Sequence, residues 1–226
     1  MNTISKTLII YILSCVLFTN LSHGQNIYLL GGVNFSKLGQ QKENSSSSVD
    51  RTYRPGFHIG SAVDIKLNDH FELMPALLFS LKREKSESTI YIPTFDNPNT
   101  SYRYNFKSSA NEYYLDLPIN LKFKFNVGEL KLYALAGPYC NFLLFNNSSN
   151  ELFVDGEPTE IENQFEGKFS NRIDYGIQIG LGAQLRSYVV QASYDHGLYR
   201  SMKYEDIQFE QSLRNSVARL TLGYRF

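Results

Sequence analysis

Tyr113-Tyr114-Leu115-Asp116-Leu117-Pro118-Ile119-Asn120-Leu121-Lys122-Phe123-Lys124-Phe125 is the stretch from which the rest of the chain can be read. Its odd positions are all large and apolar, while Asp116, Asn120, Lys122 and Lys124 on the even positions are polar or charged. Strand side chains alternate between faces, so this is one strand with a greasy side and a wet side. It exceeds the ~5 to 6 residues usual in a soluble sheet and approaches the ~9 to 11 that a tilted strand needs to cross a bilayer. Aromatic residues at both ends of its apolar face suit a strand whose ends lie at the two membrane interfaces.

Seven further segments share the two-residue period. In residues 26–36, Leu29, Val33 and Phe35 oppose Asn34 and Ser36. Over 56–66, Phe57, Ile59, Val63 and Ile65 oppose His58, Gly60, Ala62, Asp64 and Lys66. Segment 71–82 sets Phe71, Leu73, Leu77, Phe79 and Leu81 against Glu72, Ala76, Ser80 and Lys82. Segment 130–145 is apolar on both faces, and its orientation stays open. In 173–185, Tyr175, Ile177, Ile179, Leu181 and Leu185 alternate with Asp174, Gly176, Gln178, Gly180, Gly182 and Gln184. Segments 188–196 and 217–226 complete the set. Eight strands is an even number, as a closed antiparallel meander with both termini on one side requires.

The connections alternate in length. Short turns at 68–70, 126–129 and 186–187 contrast with long polar segments at 37–53, 84–111, 146–170 and 198–216, matching the periplasmic turns and extracellular loops of outer-membrane barrels. The reading is therefore all-β: an eight-stranded antiparallel transmembrane up-and-down β-barrel forming one domain. A soluble ligand-binding barrel shows the same alternation, so side-chain size decides which face points inward. The wet face carries Gly60, Ala62, Ala76, Gly176, Gly180 and Gly182, which a crowded eight-stranded interior can hold. Inverting the faces would drive Phe57, Phe71, Phe79, Phe123 and Tyr175 into that interior at roughly 1 to 3 kcal/mol each. The apolar face is expected against lipid. Pro75, Pro118 and Pro138 fall inside strands, where a missing N–H is tolerated at a bulge or near a rim.

Composition agrees with this class. The 226 residues carry 22 basic and 22 acidic side chains, with 16 Tyr, 16 Phe and no Trp. Such neutrality provides no basic footprint for nucleic acid. Residues 1–24 read as a secretory signal: Lys6 precedes an apolar run, Ser22 and Gly24 flank the end, and cleavage is expected before Gln25. The barrel domain is then 25–226. A rival reading makes Cys15 a lipidation site, but its apolar run is very short and Leu13 fits poorly. If Cys15 leaves with the signal, Cys140 is the sole mature cysteine and no internal disulfide forms. No later window approaches the ~18 consecutive apolar residues of a membrane helix.

Specific short runs add a family resemblance. Residues 114–122, with Leu115-Asp116-Leu117-Pro118 at their centre, are followed by Leu135-Ala136-Gly137-Pro138-Tyr139, residues 176–182, Tyr194-Asp195-His196-Gly197-Leu198 and Gly223-Tyr224-Arg225-Phe226. Together they resemble the PorT-type outer-membrane β-barrel family of Bacteroidetes, across nearly the whole mature chain. The resemblance implies an eight-stranded outer-membrane barrel in which prolines at 118 and 138 are usual. Some members are linked to protein secretion. No catalytic motif is carried over.

The expected inward charges are Asp64, Lys66, Glu72, Lys82, Asp116, Lys122, Lys124, Asp174, Arg219 and Arg225, of mixed sign and spread over several strands. One reading makes them an ion-pair network filling the lumen. The sharper alternative groups His58 with Asp64 or Glu72 and Ser80 as a hydrolase site, as in lipid A deacylases. Its weakness is that such enzymes act at an outward face, whereas these side chains point inward. No two histidines share a ligand spacing, and the acidic loop Asp155, Glu157, Glu160, Glu162 and Glu166 fits no calcium-loop template, so no metal, cofactor or catalytic residue is assigned. The expected partners are outer-membrane lipid, the barrel-assembly machinery during biogenesis, and an extracellular or secretion-system protein. The functional expectation is a structural or accessory role without enzymatic activity, against a lipid-modifying hydrolase or a small pore. Phe226, with Tyr224 two residues before it, resembles the terminal assembly signal of bacterial outer-membrane barrels.

Overall fold

The computed structural model describes residues 26–40, 48–51, 53–93, 101–159, 172–204 and 207–226. The signal segment and its cleavage point lie outside the described residues. Ten strands are described: β1 (Asn26–Gln40), β2 (Ser48–Arg51), β3 (Arg54–Lys66), β4 (Phe71–Pro93), β5 (Ser101–Val127), β6 (Leu130–Val154), β7 (Glu157–Thr159), β8 (Ile173–Leu185), β9 (Tyr188–Tyr204) and β10 (Ile207–Arg225). Apart from the short β2 and β7, each pairs antiparallel with its sequence neighbour, and β10 pairs back onto β1 from Tyr28↔Arg225 to Gln40↔Leu213. The result is a closed eight-stranded ring with no free edge in the membrane.

The alternation resolves as expected on 26–36, 56–66, 71–82 and 113–125. Asn34, His58, Asp64, Ser80 and Asp116 are buried, whereas Leu29, Phe57, Ile59, Phe71 and Phe123 are exposed on the outside. On β6, left open by sequence, Tyr133, Leu135, Tyr139, Asn141 and Leu143 face in, while Ala136, Pro138 and Phe142 face out. Large aromatic side chains also face inward. Tyr28, Tyr114, Tyr133 and Tyr139 are all buried in the lumen. Glycines make room for two of them: a Cβ at Gly182 would lie 2.2 Å from the Tyr133 ring, and one at Gly176 2.7 Å from the Tyr139 hydroxyl.

Two aromatic belts set the membrane depth. At the long-connection end, Phe57 and Phe79 (6.4 Å), Phe79 and Tyr113 (6.0 Å), and Tyr113 stacked on Phe145 (4.2 Å) run around the wall. At the short-turn end, Phe71 packs on Phe123 (5.2 Å), Tyr188 on Tyr224 (5.6 Å) and Tyr224 on Phe226 (5.2 Å). From Tyr113 to Phe123, at ~3.3 Å per residue and a tilt of ~45°, the rise is about 23 Å, close to the ~25 Å apolar band of outer-membrane barrels.

Two expectations are corrected. The prolines sit at no bulge: register runs unshifted past Pro75↔Ile119, Pro118↔Tyr139 and Pro138↔Ile177. Ladder pairs lapse instead between Pro75 and Leu78 on β4 and between Pro118 and Leu121 on β5, where the missing N–H groups fall. Bulges occur elsewhere, at Tyr113/Tyr114 and Tyr175/Gly176. Segment 84–111 is also no simple loop. β4 and β5 stay paired up to Pro93↔Ser101, β6 follows to Val154, and β2 and β7 add to their flanks, making a five-stranded paddle above the upper belt.

Along the paddle the amphipathic pattern reverses. The positions that continue the lipid-facing rows become Arg83, Lys85, Glu87, Arg103 and Lys107, whereas those that continue the lumen rows become Ile90, Ile92, Tyr102 and Phe106. The outer rows also carry Tyr91 and Phe153, so the outer face is mixed rather than purely charged. Lys85 lies 2.6 Å from Glu87 and holds its carboxyl below the usual carboxylate range.

Close packing at the proline-interrupted ladder yields a test. A Cβ at Gly137 would stand 2.0 Å from the Ile119 carbonyl oxygen. Gly137→Ala should lower stability by about 1 to 3 kcal/mol, while Ala136→Gly on the lipid face should cost only about 0.5 to 1 kcal/mol. The urea concentration at which the unheated, fast-migrating gel band disappears reads the difference. Equal midpoints for the two variants would disprove this packing.

Candidate functional site

The lumen concentrates the polar chemistry of the chain. Inward positions descend β4 as Lys82, Ser80, Leu78, Ala76, Met74 and Glu72, and β3 as His58, Gly60, Ala62 and Asp64. Two polar layers are thus separated by an apolar one. The apolar layer is a contiguous cluster of Leu30, Ala62, Met74, Ala76, Leu78, Leu135 and Val189, bordered by Tyr28 and Tyr133.

Asp116 is the hub of the upper layer. It accepts from Ser80 Oγ (2.6 Å), Lys82 Nζ (3.3 Å) and Arg219 Nη2 (2.7 Å). Arg219 Nε also donates to Asp195 (2.8 Å), which accepts from Gln178 Nε2 (2.6 Å), and Asn120 Nδ2 donates to Gln178 (2.6 Å). In the amide orientation that satisfies both its ends, Asn141 donates to Asp116 (3.0 Å) and accepts from Lys82 (2.9 Å). Lys82 also sits 4.2 Å from the Tyr114 ring, whose hydroxyl donates to Glu112 (2.8 Å). These residues come from β4, β5, β6, β8, β9 and β10, so one network ties together most of the ring. All are nearly inaccessible to solvent. Buried charges are tolerable only when paired and hydrogen-bonded, and here two cations meet carboxylates from several sides.

The lower layer is smaller. Lys122 Nζ donates to Asp64 (2.6 Å) and lies 3.7 Å from Glu72, which also pairs with Lys124. The Tyr28 hydroxyl donates to Asp64 (2.7 Å), and Lys122 lies 4.4 Å from the Tyr133 ring centroid.

The grouping of His58 with Ser80 and a carboxylate does not assemble. His58 Nε2 is 2.9 Å from Thr221 Oγ1, and the Ser80 proton points to Asp116. Asp64 and Glu72 belong to the other polar layer. Of the ten expected inward charges, Lys66 is misplaced: its exposed side chain bridges Asp69 (2.8 Å) at the turn, where the hydrogen bond holds the Asp69 carboxyl below its ordinary range. Arg225 reaches only the rim. Asp174 is buried. His70 stays in its turn, 6.2 Å from Phe123, and His196 lies outside beside Tyr194. Among the described residues no three His, Cys, Asp or Glu side chains group closely enough for a metal ion. Asp155 caps the backbone N–H of Arg103 (2.8 Å), and Glu157 begins β7. Glu160, Glu162 and Glu166 lie outside the described residues.

Asp195 was missed by sequence reasoning, although it shares parity with Gln191 and Ser193 against Val190, Ala192 and Tyr194. Extending the two-residue period through 188–196 would have found it.

Outer membrane protein β-barrel domains form a family whose pattern matches residues 20–203. The chain belongs to that family. It resides in the outer membrane. Among solved structures it is similar to outer membrane protein W of E. coli, at 15% identity over 91% of this chain and 100% of that one, with a TM-score of 0.43. It is also similar to OprG of Pseudomonas aeruginosa (10% identity, 90% and 96% covered, TM-score 0.42) and to Ail, the attachment invasion locus protein of Yersinia pestis (14%, 89% and 99%, TM-score 0.36). No curated protein sequence matches it.

Removing the charge of the hub should be costly. Asp116→Asn strips Lys82 and Arg219 of a shared carboxylate and should destabilise the barrel by about 3 to 5 kcal/mol. Asp69→Asn at the exposed turn should leave the midpoint close to that of wild type. Urea midpoints followed by circular dichroism measure both, and a wild-type midpoint for Asp116→Asn would refute the hub.

Proposed function

We propose that this barrel is a non-enzymatic accessory protein of the outer membrane, anchored by its wall and acting through the paddle outside. The observation that carries the reading is the reversal of amphipathicity above the upper belt. A sheet that merely closed the strands would have no need to expose Ile90, Ile92, Tyr102 and Phe106. The hydrogen-bonded lumen supports it too, since its catalytic-type side chains are committed to one another. The PorT-type resemblance favours a bacteroidete source and a partner in protein secretion or envelope maintenance. In this reading residues 1–24 direct export, the mature chain begins at Gln25, and the assembly machinery recognises the strand ending in Tyr224 and Phe226. That strand keeps its outward alternation through Leu220, Leu222 and Phe226.

Trimming the paddle tests the reading. Replacing residues 86–108 by Asn-Gly keeps Lys85 opposite Ser109 and should leave a folded, heat-modifiable barrel at normal abundance. Detergent resistance and the profile of secreted proteins should then match those of a strain lacking the protein. A trimmed barrel that restores both in full, or a deletion strain indistinguishable from wild type in both, contradicts the proposal.

A further inference from the structure

The periplasmic end of the lumen opens to solvent as a small, shallow cleft. Lys122, Lys124, Lys131 and Arg225 line it, and Glu72 is the only carboxylate that does. Below the surface, Asp64 takes up Lys122 at 2.6 Å, and Glu72 takes up Lys124. Four cations against two carboxylates leave an excess of two positive charges. The excess resides on Lys131 and Arg225, for which no carboxylate, the chain terminus included, lies within ion-pairing distance among the described residues.

The placement of these cations matters as much as their number. Lys124 lies on β5, Lys131 on β6 and Arg225 on β10, and in the ring order β10 stands directly across from β5. Donors therefore face the cleft from opposite walls. Such an arrangement suits an anion with acceptor oxygens in several directions, as a tetrahedral phosphate has, over a planar carboxylate, which presents its two oxygens to one side. The low-dielectric wall around the mouth strengthens this field relative to an open surface.

We propose that the periplasmic mouth of the barrel binds one phosphate group, held by Lys131 and Arg225 with Lys124 beside them. The chemistry is shared by free phosphate and by the headgroup of an inner-leaflet phospholipid. The site is distinct from the paddle and does not depend on what the paddle contacts.

The test uses mature protein folded in maltoside micelles at low ionic strength, titrated with inorganic phosphate by isothermal calorimetry. One-to-one saturable binding is expected, weakened about tenfold or more in the double variant Lys131→Gln/Arg225→Gln and unchanged in Lys66→Gln. Gel mobility confirms folding, and Arg225→Gln alone serves as the second variant, with a smaller loss in the same direction. Absence of binding by the wild type, unchanged binding in the double variant, or an equal loss in Lys66→Gln overturns the proposal. Doping the micelles with phosphatidylglycerol separates the sources. Phosphate binding abolished by the lipid supports the site as a headgroup site, and binding that persists supports it as a site for the free ion.

Discussion

Closing eight strands into a ring leaves an interior only wide enough for side chains, and any polar group turned into it must find its partner there. That constraint explains most of what lies inside this barrel. Lipid dictates the outward row, so alternation alone assigns Ser80, Lys82, Asp116, Asn120, Gln178, Asp195 and Arg219 to the lumen. Their hydrogen bonds cross from strand to strand and hold the ring in register. Arg219 illustrates the logic: its planar fork reaches Asp116 at 2.7 Å and Asp195 at 2.6 Å, joining carboxylates from two different strands.

Space is the second half of the same constraint. Two of the lumen tyrosines lie over glycines paired with them on the neighbouring strand, Tyr133 over Gly182 and Tyr139 over Gly176. Leu30 and Leu135 likewise lean over Gly223 and Gly180. The apolar layer built this way separates the Asp116 network from the Asp64 and Glu72 pairs. Two polar layers with a greasy layer between them form a plug, which leaves the two ends of the barrel, the paddle and the basic mouth, as the places for contact with other molecules.

Much of this architecture was legible from residue order. The strand at 113–125, the belts and the alternation of short and long connections all follow from periodicity, because lipid imposes a strict two-residue rule wherever it touches the wall. Where the rule lapses, reading from sequence lapsed too. On β6 both faces are apolar, since the inner one faces the greasy layer, and Tyr133 and Tyr139 could not be placed. The paddle looked like a loop because it has left lipid, and its alternation is inverted and diluted by Ser86, Ser88, Ser108 and Ser109. Lys66 was assigned inward by parity, yet at the last position of β3 nothing confines it. The pairing of Asp116 with Arg219 joins strands far apart in sequence, which no local pattern encodes.

The closed lumen is the feature on which the other contacts of the barrel depend. Planar-bilayer recording of the purified wild-type protein, folded and heat-modifiable, addresses it most directly. The ion-pair network and the apolar layer predict a membrane that stays at baseline conductance after insertion, at either polarity. Large, stable open channels from the wild-type barrel would contradict it.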